Sequence, residues 1–125
     1  MVIIVADDER IVLAAFRFML ERKLKGVRVC CTKQAEQLLD AVERRCPEVV
    51  ILDWELPGEK PLPLINKLRD RCPNSTIIVT SMLPGAESRA IHSGADKVIS
   101  KGEPPDGLIA YLQQLTAAQT PALRQ

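Results

Sequence analysis

The sequence predicts an α/β fold: five strand–helix units, (βα)5, arranged as a doubly wound parallel sheet with helices on both faces. Three observations lead there. First, VIIVA (2–6), VVIL (49–52) and TIIV (76–79) are short, uninterrupted apolar runs rich in β-branched residues. Such runs suit central parallel strands that are covered on both sides. Second, each is followed by a longer stretch with helical spacing of apolar residues. Third, RRCPEVVILD and RDRCPNSTIIVTS share one construction, a basic helix end, Cys-Pro, then a strand. Proline halts a helix, and basic side chains favour its negative end. Repeated βα units imply right-handed crossovers and a parallel sheet.

The elements follow in order. VIIVA forms the first strand, and RIVLAAFRFMLERKL (10–24) the first helix. In that helix Ile11, Ala15, Phe18 and Arg22 fall on one side. Val12, Phe16, Met19 and Leu20 extend a broad apolar face, and Gly26 ends it. VRVCC (27–31) is a weaker second strand. The second helix, KQAEQLLDAVERR (33–45), follows Thr32 as its N-cap. VVIL leads into the third helix, PLPLINKLRDR (61–71), and TIIV into the fourth, PGAESRAIHS (84–93), with Pro84 in its first turn and Gly94 as its stop. KVI (97–99) is the weakest strand and belongs near an edge; PDGLIAYLQQLTAA (105–118) is the fifth helix. One domain over residues 1–118 and a short tail, 119–125, account for the 125 residues.

Composition narrows the function. Seventeen basic and sixteen acidic residues give a net charge of +1, with no dense Lys/Arg block. That argues against general nucleic-acid binding. Aromatic residues make up 3%, leaving few platforms for stacking bases. No apolar run reaches the roughly 20 residues of a membrane span, and the N-terminus turns acidic at once, unlike a secretory signal. Cys30, Cys31, Cys46 and Cys72 show no zinc-type spacing, and the single histidine is His92. Ordinary thiols in a reduced, cytoplasmic setting are expected. A surface role is expected for His92.

The informative residues sit where strands end. In open α/β sheets, sites form beyond the carboxyl ends of the strands. Asp7 and Asp8 follow the first strand, Asp53 follows VVIL, Thr80 and Ser81 close the fourth, and Lys101 follows the fifth. Asp53 is not needed as a turn former, because Pro57-Gly58 supply the turn. Carboxylates gathered in one crevice raise one another's pKa values. A hard divalent cation relieves that repulsion, and Mg²⁺ prefers oxygen ligands. A magnesium site is therefore expected.

Taken together, IIVADDE (3–9), VVILDWELPG (49–58), IIVTS (77–81), GAD (94–96) and ISKG (99–102) resemble a response-regulator receiver domain, the phosphoacceptor module of two-component signalling. The resemblance covers essentially the whole chain. It implies a flavodoxin-like sheet of strand order 2-1-3-4-5, with Asp53 as phosphoacceptor. Asp8 would be a direct Mg²⁺ ligand, Asp7 would act largely through water, and the Glu55 backbone carbonyl would complete the protein ligands. Thr80 would donate to a phosphoryl oxygen, and Lys101 would pair with the phosphorylated site. The implied partners are a histidine kinase or histidine phosphotransfer protein. A target or a second copy would meet the face made by the fourth helix, fifth strand and fifth helix. The chain departs from the family in three places. Val98 stands where the family carries Phe or Tyr, and Gly102 replaces the proline after the lysine. Pro61 and Pro63 crowd the start of the third helix, where a glycine is usual. A cis Lys-Gly bond would cost roughly 2.5–4 kcal/mol. Two other readings compete. A receiver-like interaction module with little phosphorylation is favoured by Val98. A small Mg²⁺-dependent aspartyl phosphohydrolase would want Asp, not Glu55, two residues after its nucleophile. The chain reads as a switch and not an enzyme.

Overall fold

The computed structural model describes residues 1–83 and 85–118. Pro84 and the tail 119–125, both assigned above from sequence, lie outside the described residues. Five strands, β1 (Val2–Ala6), β2 (Arg28–Thr32), β3 (Val49–Asp53), β4 (Thr76–Ser81) and β5 (Lys97–Ser100), alternate with α1 (Arg10–Lys23), α2 (Ala35–Arg44), α3 (Pro61–Arg71), α4 (Ala86–His92) and α5 (Asp106–Ala118). The sheet is parallel throughout, in the order β2-β1-β3-β4-β5. The two weaker apolar runs are the two edge strands, where one side lacks a covering neighbour.

Alternation along the strands divides the core. Ile4, Val50, Leu52, Ile77 and Val79 point to one face and pack under α2, α3 and α4, against Leu38, Val42, Leu64, Ile65, Leu68 and Ala90. Ile3, Val5, Val49, Ile51 and Ile78 point the other way and meet Leu13 and Leu20 of α1 and Leu108 and Leu112 of α5. Each fully buried aliphatic side chain contributes about 1.5–3 kcal/mol. β3 is buried at every position, so it is the centre of the molecule.

Three sequence expectations need correction. In α1 the buried residues are Leu13 and Leu20, with Phe16 and Met19 partly packed, while Ile11 is 83% exposed and Phe18 is 65% exposed. The helix is apolar around much of its circumference, so spacing alone cannot choose the inner side. Thr32 does not cap α2; it completes β2, its hydroxyl is buried without a partner, and the N-cap is Gln34. The start of α2 is tied down instead by the Lys33 N–H, which donates to Gln37 Oε1 (2.8 Å), and the Ala35 N–H, which donates to the Pro57 carbonyl (2.9 Å). Third, Cys46 and Cys72 are not free thiols but are joined as a disulfide across 26 residues of chain. Cys30 and Cys31 remain free; alternation leaves Cys30 exposed and turns Cys31 toward the α1/α5 core.

His92 is exposed, and its Nδ1 lies 2.6 Å from the Ser88 carbonyl. Trp54, directly after Asp53, is buried among the α2/α3 core residues. Among the described residues no peptide bond is cis, and no helix is long and apolar enough to cross a membrane.

Candidate functional site

The division of the sheet continues past the ends of its strands. Asp7 follows Ile3 and Val5 in alternation, Asp53 follows Val49 and Ile51, Thr80 follows Ile78, and Lys101 follows Ile99. All four therefore carry on the α1/α5 face into the crevice at the carboxyl end. Register adds to this: Asp53 pairs with Thr80 across β3 and β4, and Thr80 pairs with Ile99 across β4 and β5. One stretch of each of four strands thus supplies one polar side chain to one place.

Lys101 joins the carboxylates. Its Nζ lies 2.8 Å from Asp7 Oδ2 and 3.2 Å from Asp53 Oδ2. Asp7 is 1% exposed and Asp53 4% exposed, so both charges are largely withdrawn from water. The second oxygen of each is held by the backbone two residues on. The Glu9 N–H donates to Asp7 Oδ1 (2.9 Å) and the Glu55 N–H to Asp53 Oδ1 (3.1 Å). These turns follow from Asp at a strand end, where the side chain can accept from the next available N–H. Asp8, of opposite alternation, is exposed, yet a carboxylate oxygen of Asp7, of Asp8 and of Asp53 all lie within 4.8 Å of one another.

Burial pushes the Asp53 carboxyl above its ordinary range, and the Asp7 charge adds to the rise; the Glu55 N–H and the Lys101 ammonium pull it back only in part. Burial pulls Lys101 down, but its hydrogen bond to Asp7 and the charges of Asp53 and Asp7 outweigh that, leaving it raised and firmly protonated. Three carboxyl groups thus gather around a single ammonium, two of them buried and Asp8 open to solvent. The oxygen-only donor set and that imbalance fit a divalent cation.

The residues expected from sequence at the strand ends are brought together, with one unforeseen preference: Lys101 sits closer to Asp7 than to Asp53. Thr80 is buried beside them, its carbonyl accepting from the Trp54 N–H (2.8 Å). The Glu9 and Glu55 amides were missed as anchors, because a backbone donor leaves no mark in residue type; only the two-residue Asx spacing could have suggested them. Gly58 holds the β3–α3 loop against α2. Its φ is +107°, and a Cβ there would come within 3.3 Å of the Ala35 Cβ and backbone N. On the other face Val98 pairs with Val79 and packs against the α2/α3/α4 core.

Known proteins resemble this chain in sequence and fold. The transcriptional regulatory protein DesR of Bacillus subtilis is 29% identical over 106 residues, 85% of this chain and 53% of its own length. The chain spans about half the length of this and of other curated relatives, such as the transcriptional activator ExaE of Pseudomonas putida (27% identity, 92% of this chain, 55% of that protein). Among solved structures, the signal receiver domain of a DNA-binding response regulator from Colwellia psychrerythraea superposes with a TM-score of 0.86 at 17% identity, covering 94% of this chain and 98% of that one. Residues 3–113 match the family described as the response regulator receiver domain. Nearly the full run of strands, and every one of the clustered carboxylates, falls within that match; the chain belongs to the response regulator receiver domain family.

Proposed function

We propose that the chain is a phosphoacceptor switch. Asp53 takes a phosphoryl group from the phosphohistidine of a histidine kinase or histidine phosphotransfer protein, with Mg²⁺ required. The observation that carries this reading is the buried Asp53 carboxylate, shared through Lys101 with Asp7, in register with Thr80.

The chemistry follows from the groups present. A carboxylate is a usable nucleophile toward a reactive phosphoramidate. An oxygen of Asp53 bonds to phosphorus as the P–N bond breaks, and the imidazole leaves with the electron pair. Burial disfavours the ionised Asp53, so the Glu55 N–H and Lys101 hold it ready as an anion. The Lys101 ammonium and the Thr80 hydroxyl face the charge that develops on the equatorial oxygens. Asp8 and Asp53, with Asp7 largely through water and the Glu55 carbonyl, would hold the magnesium ion. When bound, it supplies charge neutralisation for carboxylates and phosphoryl oxygens alike.

The product adds about −1.5 to −2 charges at one point. Lys101 and Thr80 are the nearest groups that can answer it, so Thr80 and the loop that follows are drawn toward the phosphoryl group. The loop starts with its own anchor, the Leu83 N–H donating to Ser81 Oγ (2.9 Å). Val98 is too short to follow by an aromatic swing, and β-branching limits its χ1. The output is then movement of the 81–87 loop toward the α4-β5-α5 face, where a target protein or a second copy docks. Methyl and backbone NMR with a phosphoryl mimic is expected to show shifts across 81–87 and an unchanged Val98 rotamer. A rotamer change at Val98 with a still loop would reverse the mechanism.

The direct test is incubation with Mg²⁺ and acetyl phosphate, followed by intact mass and peptide mapping. One phosphoryl group on Asp53 is expected, and Asp53→Asn is expected to stay folded and lose about a thousandfold or more in rate. Phosphorylation of that variant at the wild-type rate would defeat the assignment.

A further inference from the structure

The two Cys-Pro joints that the sequence repeats are joined to each other, at the end of the sheet remote from the carboxylates. Cys46 lies between α2 and β3, and Cys72 caps α3 before β4. We propose that Cys46 and Cys72 form a reversible redox modification site, whose Sγ–Sγ bond exchanges with small thiols and disulfides while the fold stays intact, Cys46 being the sulfur attacked. This rests on no assumption about the phosphoacceptor chemistry.

Access distinguishes the two sulfurs. Cys46 is exposed, whereas Cys72 is 3% exposed and belongs to the α2/α3/α4 core. A groove of about 550 Å³ opens beside the bond, with Cys46, Cys72, Pro73 and Asn74 among its lining residues. A thiol-sized molecule can therefore reach the bond from the Cys46 side.

Both oxidation states have a place in the fold. With the bond open, the Cys46 thiol has the Arg71 carbonyl 3.5 Å away as an acceptor. Cys72 as a thiol is a small apolar side chain among apolar neighbours. The joint also has independent ties. Arg71 NH2 donates to the Glu43 carbonyl (2.9 Å), Ser75 Oγ donates to the Pro47 carbonyl (2.5 Å), and the Thr76 N–H donates to the Glu48 carbonyl (2.9 Å). Opening the bond removes one link among several.

The exchange balances with a dithiol as co-reactant. One thiolate of the dithiol, its proton given to solvent, attacks Cys46 Sγ to form a mixed disulfide, and Cys72 leaves as a thiolate and takes a proton from solvent. The second thiolate of the reagent then attacks its own first sulfur, releasing Cys46 and a cyclic disulfide. Two electrons pass from reagent to protein, and a small disulfide such as oxidised glutathione reverses the process.

The test treats the folded, air-exposed full chain with graded dithiothreitol, alkylates it, and maps peptides by mass while circular dichroism reports the fold. Exposed Cys30 serves as the internal standard for complete labelling. Cys46 and Cys72 are expected to become alkylated together, with unchanged secondary structure, and to close again on transfer to oxidised glutathione. With oxidised glutathione, Cys72→Ser is expected to form a mixed disulfide at Cys46, while Cys72 in Cys46→Ser reacts roughly tenfold more slowly or less. Labelling of both residues without reductant would overturn the proposal. So would reduction that occurs only once the protein unfolds, or equal reactivity of the two single variants.

Discussion

β3 and β4 end in opposite chemical conditions. At their amino ends, nearly every polar group has a partner. Ser75 donates to Pro47. Arg69 reaches the carbonyls of Pro73 (3.2 Å), Ser75 (2.7 Å) and Gly94 (2.7 Å), and Asp96 Oδ2 accepts from both Arg69 and the Ile77 N–H. The disulfide closes the same corner. At their carboxyl ends, Asp53 shares Lys101 with Asp7 from the end of β1, with the exposed Asp8 carboxylate close by, and burial plus like charge raise Asp53 out of its ordinary range. The amino ends are built to be stable, and the carboxyl ends to be short of positive charge. A fold can hold such a deficit only if stability comes from elsewhere, and here it comes from the core and the opposite rim of the same two strands.

That contrast can be broken from either end. The largest expected effect is at the satisfied end. Cys46→Ala opens the disulfide at an exposed position, with little packing lost, and frees a 26-residue connection. By chain entropy this lowers unfolding free energy by about 3–4 kcal/mol, measured by urea titration without reductant. Phosphoryl uptake from acetyl phosphate is expected to stay within about twofold, since the core keeps the site in place. Loss of uptake matching the loss of stability would show that the two ends are not separate.

A smaller effect is expected at the carboxylate end. Magnesium at a hundredfold over its Kd should stabilise the wild type by about 2.7 kcal/mol. Asp8→Ala removes an exposed carboxylate of the cluster without touching the Lys101 pairs, so if Asp8 holds the ion as proposed, most of that gain should vanish while metal-free stability changes little. Thermal melts with and without Mg²⁺, with calorimetric titration, would check this; equal magnesium binding by the two proteins would remove Asp8 from the site.

The smallest effect concerns pH. The Asp53 carboxyl has an ordinary value of 3.8 and is raised in the folded chain. The folded state therefore holds its proton to higher pH than the unfolded state does. The contribution of Asp53 to stability falls as pH rises from about 3.8 through the raised value, and its ionised form is a net cost above that. In chelator at neutral pH, Asp53→Asn should melt above wild type. The difference should shrink below about pH 4, and added Mg²⁺ should reverse it by stabilising only the wild type. A variant less stable than wild type at every pH would mean that Lys101 needs Asp53 more than Asp53 suffers from burial.

Much of this was legible in the chain. Uninterrupted apolar strands, amphipathic helices between them and the two Cys-Pro joints fixed the order of elements, because each is a local signal. Strand-end position also marked Asp7, Asp53, Thr80 and Lys101, since alternation along a strand is itself local. Two matters were not local. The inner side of α1 was not readable, because Ile11 and Phe18 are as apolar as the buried Leu13 and Leu20. Thr32 has the residue type of a cap but is drawn into β2 by pairing with Ala6.

What the sequence determined by itself was the set of βα units and the polar residue at each strand's end, because period and residue type are properties of short segments. The tertiary structure alone decided which of those residues meet. Lys101 and Asp7 are separated by almost the whole chain, and only the order β2-β1-β3-β4-β5 brings them to 2.8 Å. The same holds for Cys46 and Cys72: nothing in their spacing requires a bond. They meet because β3 and β4 are parallel neighbours, so the two Cys-Pro joints that lead into them arrive side by side at the amino ends of the strands.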